Sequence, residues 1–334
     1  MRGLLIIIFA FIFGFCVAYF VLPFTPKNKE APSLVSQFKE KPFNKYTIEN
    51  LGKTQITPAK IEIDRLLSNN ENFASSLFFL SFSPNLNPKE TKKVSGIINI
   101  PNEGQSNPLV ILFRGYIDQK TYKSGDGTKR VGEYLANNGF ITLAPDFLGY
   151  GESDKEADNI FESRFQTYVT ALTLVNSLKS IDKWDGKNVF IWGHSNGGQI
   201  ALTILEITQL PYPTVLWAPV SKPFPYSVLY YTDESDDRGK LIRKELAKFE
   251  ELYDPDLYAI DRYFDKVRAP LQLHQGINDD AVPAIWSDSL SQSLKDLDKD
   301  IAYLKYPGTD HNLNPSWSVA VQNSLTFFKK YLTK

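Results

Sequence analysis

The residues best suited to chemistry in this sequence are a serine in a glycine-rich turn, a late histidine and a pair of aspartates between them. Gly193-His194-Ser195-Asn196-Gly197 follows the apolar run Val189-Phe190-Ile191-Trp192 and precedes a helical pattern from Gln199 to Ile207. A serine held on a tight strand-to-helix turn presents its hydroxyl above a sheet, and the flanking glycines let strand and helix approach closely. The bland reading of the same residues is a glycine-rich turn with an N-capping serine. A hydroxyl attacks a carbonyl only when a base removes its proton and an acid orients that base. The base must be His194, His274 or His311, the only histidines in the chain. His194 sits inside the turn, facing the wrong way, and His274 ends an apolar strand pattern as a hydrogen-bonded structural histidine would. His311, in Tyr306-Pro307-Gly308-Thr309-Asp310-His311, follows a further strand and is the candidate base. Just past Leu271-Gln272-Leu273-His274, Asp279 and Asp280 compete as the acid, because a carboxylate there can reach a base one strand further on. Asp310 adjoins the base and reads as solvated. A tetrahedral intermediate also needs donors aimed at its oxyanion. One candidate is the backbone N–H of Asn196. The other lies in Arg114-Gly115-Tyr116-Ile117, where Tyr116 could serve by its backbone N–H or its phenol, or be a packed turn aromatic.

The elements that must position these residues follow from hydrophobic periodicity. Tyr46-Thr47-Ile48, Lys60 to Ile63, Ser76 to Phe82 and Val94 to Ile100 alternate with period two and predict strands. From Leu109 onward the pattern changes. Strands are expected at Leu109–Phe113, Phe140–Ala144, Asn188–Trp192, Thr214–Trp217, Leu271–His274 and 301–306. Helices are expected between and after them near 128–138, 161–180, from 195, near 284–297 and near 316–332. This alternation predicts an α/β fold, a mostly parallel sheet with helices on both faces and the early strands as an antiparallel edge. Residues 219–268 are too long for an ordinary crossover. With helical periodicity from Arg238 to Leu252 and tyrosines at 226, 230, 231, 258 and 263, this insertion reads as a small cap over a site or as a surface excursion.

Composition closes off other classes. The 334 residues are 43% hydrophobic and 22% charged, as in a folded globular chain. Lys plus Arg number 37 against 38 acids, so no basic excess is available to hold nucleic acid. One cysteine excludes an intrachain disulfide or a cysteine-ligated cluster, and three histidines leave little room for a metal site. From Leu4 to Leu22 no residue is charged, a run that spans roughly 28 Å as a helix and matches a bilayer core. It is longer than the apolar core of a cleaved signal and lacks a small-x-small site. Phe15 before Cys16 speaks against a lipoprotein signal. The expectation is a single-pass anchor in residues 1–24, a Pro/Lys/Ser-rich linker over 25–45, and a domain over 46–334 held at the outer membrane face.

The turn at 193–198 combines with Ala144-Pro145-Asp146 leading to Gly149-Tyr150-Gly151-Glu152-Ser153, with Ala269-Pro270, with Gly276 to Pro283 and with His311. Together they resemble the α/β-hydrolase superfamily and, within it, the catalytic domain of the prolyl oligopeptidase family of serine peptidases. The resemblance runs from about Leu109 to the C-terminus. The serine turn is shared by esterases, lipases and peptidases; the Gly-x-x-Asp-x-x-Val-Pro segment leans toward the peptidases and assigns the acid to Asp279. Arg114-Gly115 stands where His-Gly is more usual, and Asn196 where tyrosine is frequent. The segment upstream of Leu109 is too short for the propeller of many family members. The resemblance implies a serine hydrolase acting on peptide or ester bonds through Ser195, Asp279 and His311, with no metal or organic cofactor. A carboxylesterase is the alternative, and a catalytically silent surface-binding module a third reading.

Overall fold

The computed structural model describes residues 40–333. Their strands are β1 (Ile61–Asn69), β2 (Phe73–Phe82), β3 (Lys92–Pro101), β4 (Asn107–Phe113), β5 (Ile141–Pro145), β6 (Trp184–His194), β7 (Thr214–Trp217), β8 (Leu271–Gly276) and β9 (Ile301–Tyr306). They form one sheet in the order β1-β2-β3-β5-β4-β6-β7-β8-β9. The strands from β4 onward pair in parallel, and β1, β2 and β3 make the antiparallel edge. The helices are α1 (Ile48–Lys53), α2 (Lys129–Ala136), α3 (Ile160–Asn176), α4 (Asn196–Thr208), α5 (Tyr226–Leu229), α6 (Lys240–Glu250), α7 (Ala284–Asp296) and α8 (Trp317–Lys330).

Strand geometry sends alternate side chains to opposite faces, and the central strands show why they read as unbroken apolar runs. Leu109, Ile111 and Phe113 of β4 join Val189 and Ile191 of β6 in the core beneath α3, α4 and α7. Val110, Leu112, Phe190 and Trp192 enter the opposite core beneath α2 and α8. Parallel pairing aligns the carboxyl ends: Phe113 lies opposite Gly193, His194 opposite Trp217, and Trp217 opposite His274. The loops leaving β4, β6, β8 and β9 therefore emerge on one rim of the sheet, where open α/β folds bind ligands.

Two sequence expectations change near the N-terminus. Tyr46-Thr47-Ile48 is not a strand. It is the join between a 3-10 turn at Asn44–Tyr46 and α1, with Thr47 Oγ1 capping α1 by accepting the Asn50 N–H at 3.2 Å. Three alternating residues carry too little periodicity to outweigh a capping threonine. The folded unit also includes residues before 46, from Pro42. Phe43 packs on Tyr253 with ring centroids 5.4 Å apart, and its carbonyl accepts from Tyr258 Oη at 3.0 Å. The expected anchor at 1–24 and the linker up to residue 39 lie outside the described residues. Among the described residues no helix is long and apolar enough to cross a membrane.

The 219–268 insertion is a set of short helices built around aromatic contacts. Phe224, Phe249 and Tyr258 pack against Phe161 and Phe165 of α3, with Phe165 and Tyr258 stacked at 4.8 Å. Beneath its last turns lies Glu206 of α4, buried with neither carboxylate oxygen hydrogen-bonded among the described residues. Burial, and then the charges of Asp261 and Asp265, hold this carboxyl well above the usual range. In the unfolded chain it ionises near pH 4.3. Above that pH the unfolded state therefore binds fewer protons than the folded one, and this group alone lowers stability as pH rises, by about 1.4 kcal/mol per unit, up to its folded pKa. Glu206→Gln is expected to raise Tm more at pH 8 than at pH 5. A pH-independent difference in calorimetric Tm would show that Glu206 does not stay protonated in the fold.

Candidate active site

Ser195 occupies the sharp turn between β6 and α4 with φ 55° and ψ −121°, a region that costs a non-glycine residue of order 1–3 kcal/mol. The turn is held on several sides. The Ser195 N–H donates to Trp217 O at 2.9 Å, and its carbonyl accepts from Gly198 N at 3.0 Å and Val220 N at 2.9 Å. The glycines are a packing requirement. A Cβ on Gly193 would sit 2.5 Å from Gly197 O, one on Gly198 would sit 2.5 Å from Pro219 Cβ, and one on Gly197 would collide with the Phe113 carbonyl.

Asp279 and His311 are far apart in sequence and meet because the loops after β8 and β9 are zipped together. Ile277 N donates to Tyr306 O and Asn278 N to Thr309 O, each at 3.0 Å. Asp279 Oδ2 lies 2.9 Å from His311 Nδ1 and accepts Gln275 Nε2 at 2.9 Å. Its Oδ1 accepts the N–H groups of Ala281 at 3.0 Å and Val282 at 2.8 Å. Burial opposes the charge on Asp279, but the hydrogen bonds from His311, Val282 and Gln275 prevail and hold its carboxyl below the usual range. Since an ionised carboxylate only accepts, His311 Nδ1 carries the proton and Nε2 is left as an acceptor. Asp280 is exposed, and Asp310, also exposed, accepts Asn314 N at 2.8 Å. Ser195 Oγ makes no hydrogen bond to His311 among the described residues; nucleophile–base bonds commonly tighten only on substrate binding.

The other histidines divide. His274 is the structural residue its sequence context suggests: it is fully buried, with Tyr306 Oη 2.9 Å from Nδ1 and Gln272 Oε1 2.9 Å from Nε2. Burial pushes its pKa down to about 3. His194 does more than the sequence suggested. Its ring lies 4.7 Å from that of His311, and its Nε2 is 3.0 Å from the His311 carbonyl. Burial, reinforced by the nearby His311, lowers its pKa to about 4, so at neutral pH it is uncharged and donates Nε2–H to that carbonyl. It thereby ties the loop carrying His311 to the residue preceding Ser195. Gln275, and the tie that His194 makes to the His311 loop, escaped the sequence reading because both act through folded neighbours, and no spacing marks such a role.

The loop after β4 passes directly against the serine: a Cβ on Gly115 would lie 3.0 Å from Ser195 Cβ. Arg114 is buried with its guanidinium 3.9 Å from the Tyr150 ring centroid. Its Nη1 donates to Gly115 O at 2.9 Å and its Nη2 to Asp146 O at 3.0 Å. A planar trans peptide sends the next N–H opposite to its carbonyl, so this grip fixes the direction of the Tyr116 N–H. The Tyr116 side chain is 75% exposed, so the backbone is the part of this residue that the fold holds in place. Asn196 is the first residue of α4, and its N–H has no acceptor within the helix. Tyr116 and Asn196 line one cleft of about 200 Å³ with Arg114, Phe147, Tyr150 and Arg164. The insertion does not roof this cleft; it reaches the edge through Ser227, 3.5 Å from Arg164 Nη2. Among the described residues no three His, Cys, Asp or Glu side chains converge as a metal site would require.

Comparison with known proteins agrees with this architecture. The family profile described as Serine aminopeptidase, S33 matches residues 104–248. Acetyl esterase Axe7A of Xylanibacter ruminicola is 21% identical over 76% of this chain, which spans only 60% of that protein. A Bacillus subtilis protein described as the uncharacterized peptidase YtmA is 25% identical over 71% of this chain and 89% of its own length. The crystal structure of acetyl xylan esterase 1 from Thermoanaerobacterium sp. superposes with a TM-score of 0.61 at 16% identity, over 86% of this chain and 94% of the esterase. The match to the prolyl oligopeptidase family in particular does not emerge from these comparisons; the fold does. The chain has the α/β-hydrolase fold, and the proteins it resembles include both esterases and peptidases.

Proposed function

We propose that this chain is a serine carboxylesterase that cleaves small acyl esters by acyl transfer to water. The observation that carries this reading is the buried Asp279 carboxylate fixed on His311 Nδ1 at the same sheet rim as the strained Ser195 turn. Ser195 Oγ would attack the ester carbonyl while His311 Nε2 takes its proton. The N–H groups of Asn196 and Tyr116 would bind the oxyanion, and His311 would then protonate the departing alkoxide. Water would enter by the same route, giving its proton to His311, and release the acid from Ser195.

Two observations favour an ester over a peptide. The cleft beside Asn196, at about 200 Å³, suits a short acyl group and is smaller than the usual 300–1,000 Å³ ligand pocket. The acetyl xylan esterase fold is also matched over nearly its whole length. A peptidase is the second reading, supported by the S33 profile and the YtmA match. The deciding experiment compares p-nitrophenyl acetate with a panel of aminoacyl p-nitroanilides, using the full chain and a Ser195→Ala control. Serine-dependent ester turnover without amide cleavage is the expected result. Serine-dependent amide cleavage at comparable rates would move the assignment to a peptidase. Wild type matching Ser195→Ala on both panels, with no fluorophosphonate labelling, would refute both.

Arg114 supplies a further check. Arg114→Met frees the Gly115–Tyr116 peptide to rotate. We expect kcat to fall by about 10²-fold, the lower end for losing one oxyanion donor, with KM much less affected. Arg114→Lys should not restore it, because an ammonium cannot hold both carbonyls while stacked on Tyr150. A rise in KM with kcat unchanged would place Arg114 in substrate binding instead.

A further inference from the structure

We propose that the cleft beside Asn196 selects esters whose acyl group carries a carboxylate, with Arg164 as the residue that reads it; this rests on Ser195 being the nucleophile. The cleft has apolar walls at Phe147, Ile160 and Ile200, and three charged side chains line it: Arg114, Glu156 and Arg164. Two of these are already engaged. Arg114 holds the Gly115 and Asp146 carbonyls through its two terminal nitrogens. Glu156 accepts from Gln119 Nε2 at 2.8 Å and from Ser163 Oγ at 2.7 Å, one on each oxygen.

Arg164, on α3, is different. Only its Nη2 has partners, Gln199 Oε1 and, at 3.5 Å, Ser227 Oγ, and both are neutral. Like Arg114, it has a buried Nε with no partner and no carboxylate within ion-pair distance among the described residues, but unlike Arg114 it also leaves Nη1 without a partner and stacks on no ring. A guanidinium offers five donors in a fork that fits a carboxylate. A half-buried cation with most of that fork unused, beside the apolar walls of Phe147, Ile160 and Ile200, is under-compensated and gains from an anion. The cleft as a whole agrees in sign, with two guanidinium groups against one carboxylate.

Position identifies which part of the substrate would carry the charge. His311 must face the leaving alkoxide in order to protonate it. The cleft is lined by the two oxyanion donors, Asn196 and Tyr116, and by neither Ser195 nor His311; adjoining Ser195 on the oxyanion side, it receives the acyl group. Gln199, which holds Arg164, lies about one turn of α4 beyond Asn196, roughly 5 Å of helix rise. That separation matches a spacer of two or three carbons between the reacting carbonyl and the anion. The substrate class is half-esters of short dicarboxylic acids.

The test measures acid release by the full chain from monomethyl succinate and monomethyl glutarate against methyl butyrate and methyl valerate, with Ser195→Ala as background. The readout is the ratio of kcat/KM for the anionic ester to that for its neutral counterpart. We expect a wild-type ratio of about ten or more, a drop of roughly ten- to a hundredfold in Arg164→Gln, as for loss of a charge-assisted hydrogen bond, and partial recovery in Arg164→Lys. A wild-type ratio at or below one, or an unchanged ratio in both Arg164 variants, overturns the proposal while turnover of methyl butyrate leaves the esterase reading standing. No turnover of either class above background overturns both together.

Discussion

Ser195→Ala is expected to lower kcat on p-nitrophenyl acetate by about 10⁶-fold, and Ser195→Ala combined with His311→Ala by no more than that. The two residues act in one proton transfer, so once the nucleophile is gone the base has nothing left to activate. The loss should therefore saturate rather than add. What remains is the contribution of the oxyanion donors and of binding, about 10³- to 10⁴-fold over water. The fold should survive the change. The positive φ at Ser195 is imposed by the Trp217, Gly198 and Val220 hydrogen bonds, which are all made by its backbone. Alanine keeps those bonds and adds no bulk, so Tm should move little. The check is steady-state kinetics on the two single variants and the double, with intact-mass analysis after fluorophosphonate treatment. Losses that multiply, or a label that survives in Ser195→Ala, would mean that Ser195 and His311 do not work as a unit.

Much of this arrangement is legible in the sequence because it is enforced by backbone geometry. The turn at Ser195 requires Gly193, Gly197 and Gly198 for want of space, so it leaves a readable pattern. The parallel strands are buried on both faces, which turns Leu109–Phe113 into an unbroken apolar run. Asp279 and Asp280 could not be separated on the residues alone, since both sit on the same loop. Only resemblance favoured Asp279, and the structure shows why the two differ: one carboxylate is buried on four donors and the other is exposed. Arg114 stood as a departure from a family pattern. Folded, it grips the loop from behind, between two backbone carbonyls and a tyrosine face, a role that depends on Asp146 and Tyr150 arriving from another strand. His194 is not the base, but its contact with the His311 loop was out of reach of the sequence for the same reason. Its partner is the carbonyl of a residue 117 positions away, and no local periodicity encodes such a contact. The short strand expected at Tyr46–Ile48 failed because three residues cannot distinguish alternation from a capped turn.

Asp279→Asn should cost about 10⁴-fold in kcat while leaving KM nearly unchanged, and the reason lies in the polarity of its neighbours. All four partners of the carboxylate are donors: the N–H groups of Ala281 and Val282 on Oδ1, and Gln275 Nε2 with His311 Nδ1 on Oδ2. An asparagine amide must place its NH₂ on one side. The two backbone donors cannot rotate, so the amide oxygen stays with them and the NH₂ faces Gln275 and His311. Gln275 cannot simply flip to offer its oxygen, because that oxygen already accepts from Ser287 Oγ at 2.7 Å. His311 can respond by moving its proton to Nε2, which converts the base into a group that cannot take the proton of Ser195. The fold would be kept, and the catalytic tautomer would be lost. Asp280→Asn is the matched control, with an exposed side chain and an expected change below about twofold, within the range of ordinary surface substitutions. Proton NMR offers an independent readout, since the downfield His311 Nδ1–H resonance should disappear in Asp279→Asn and persist in Asp280→Asn. If Asp279→Asn keeps more than about a tenth of wild-type kcat and Asp280→Asn collapses, the acid is Asp280, and the His311–Asp279 contact is structural.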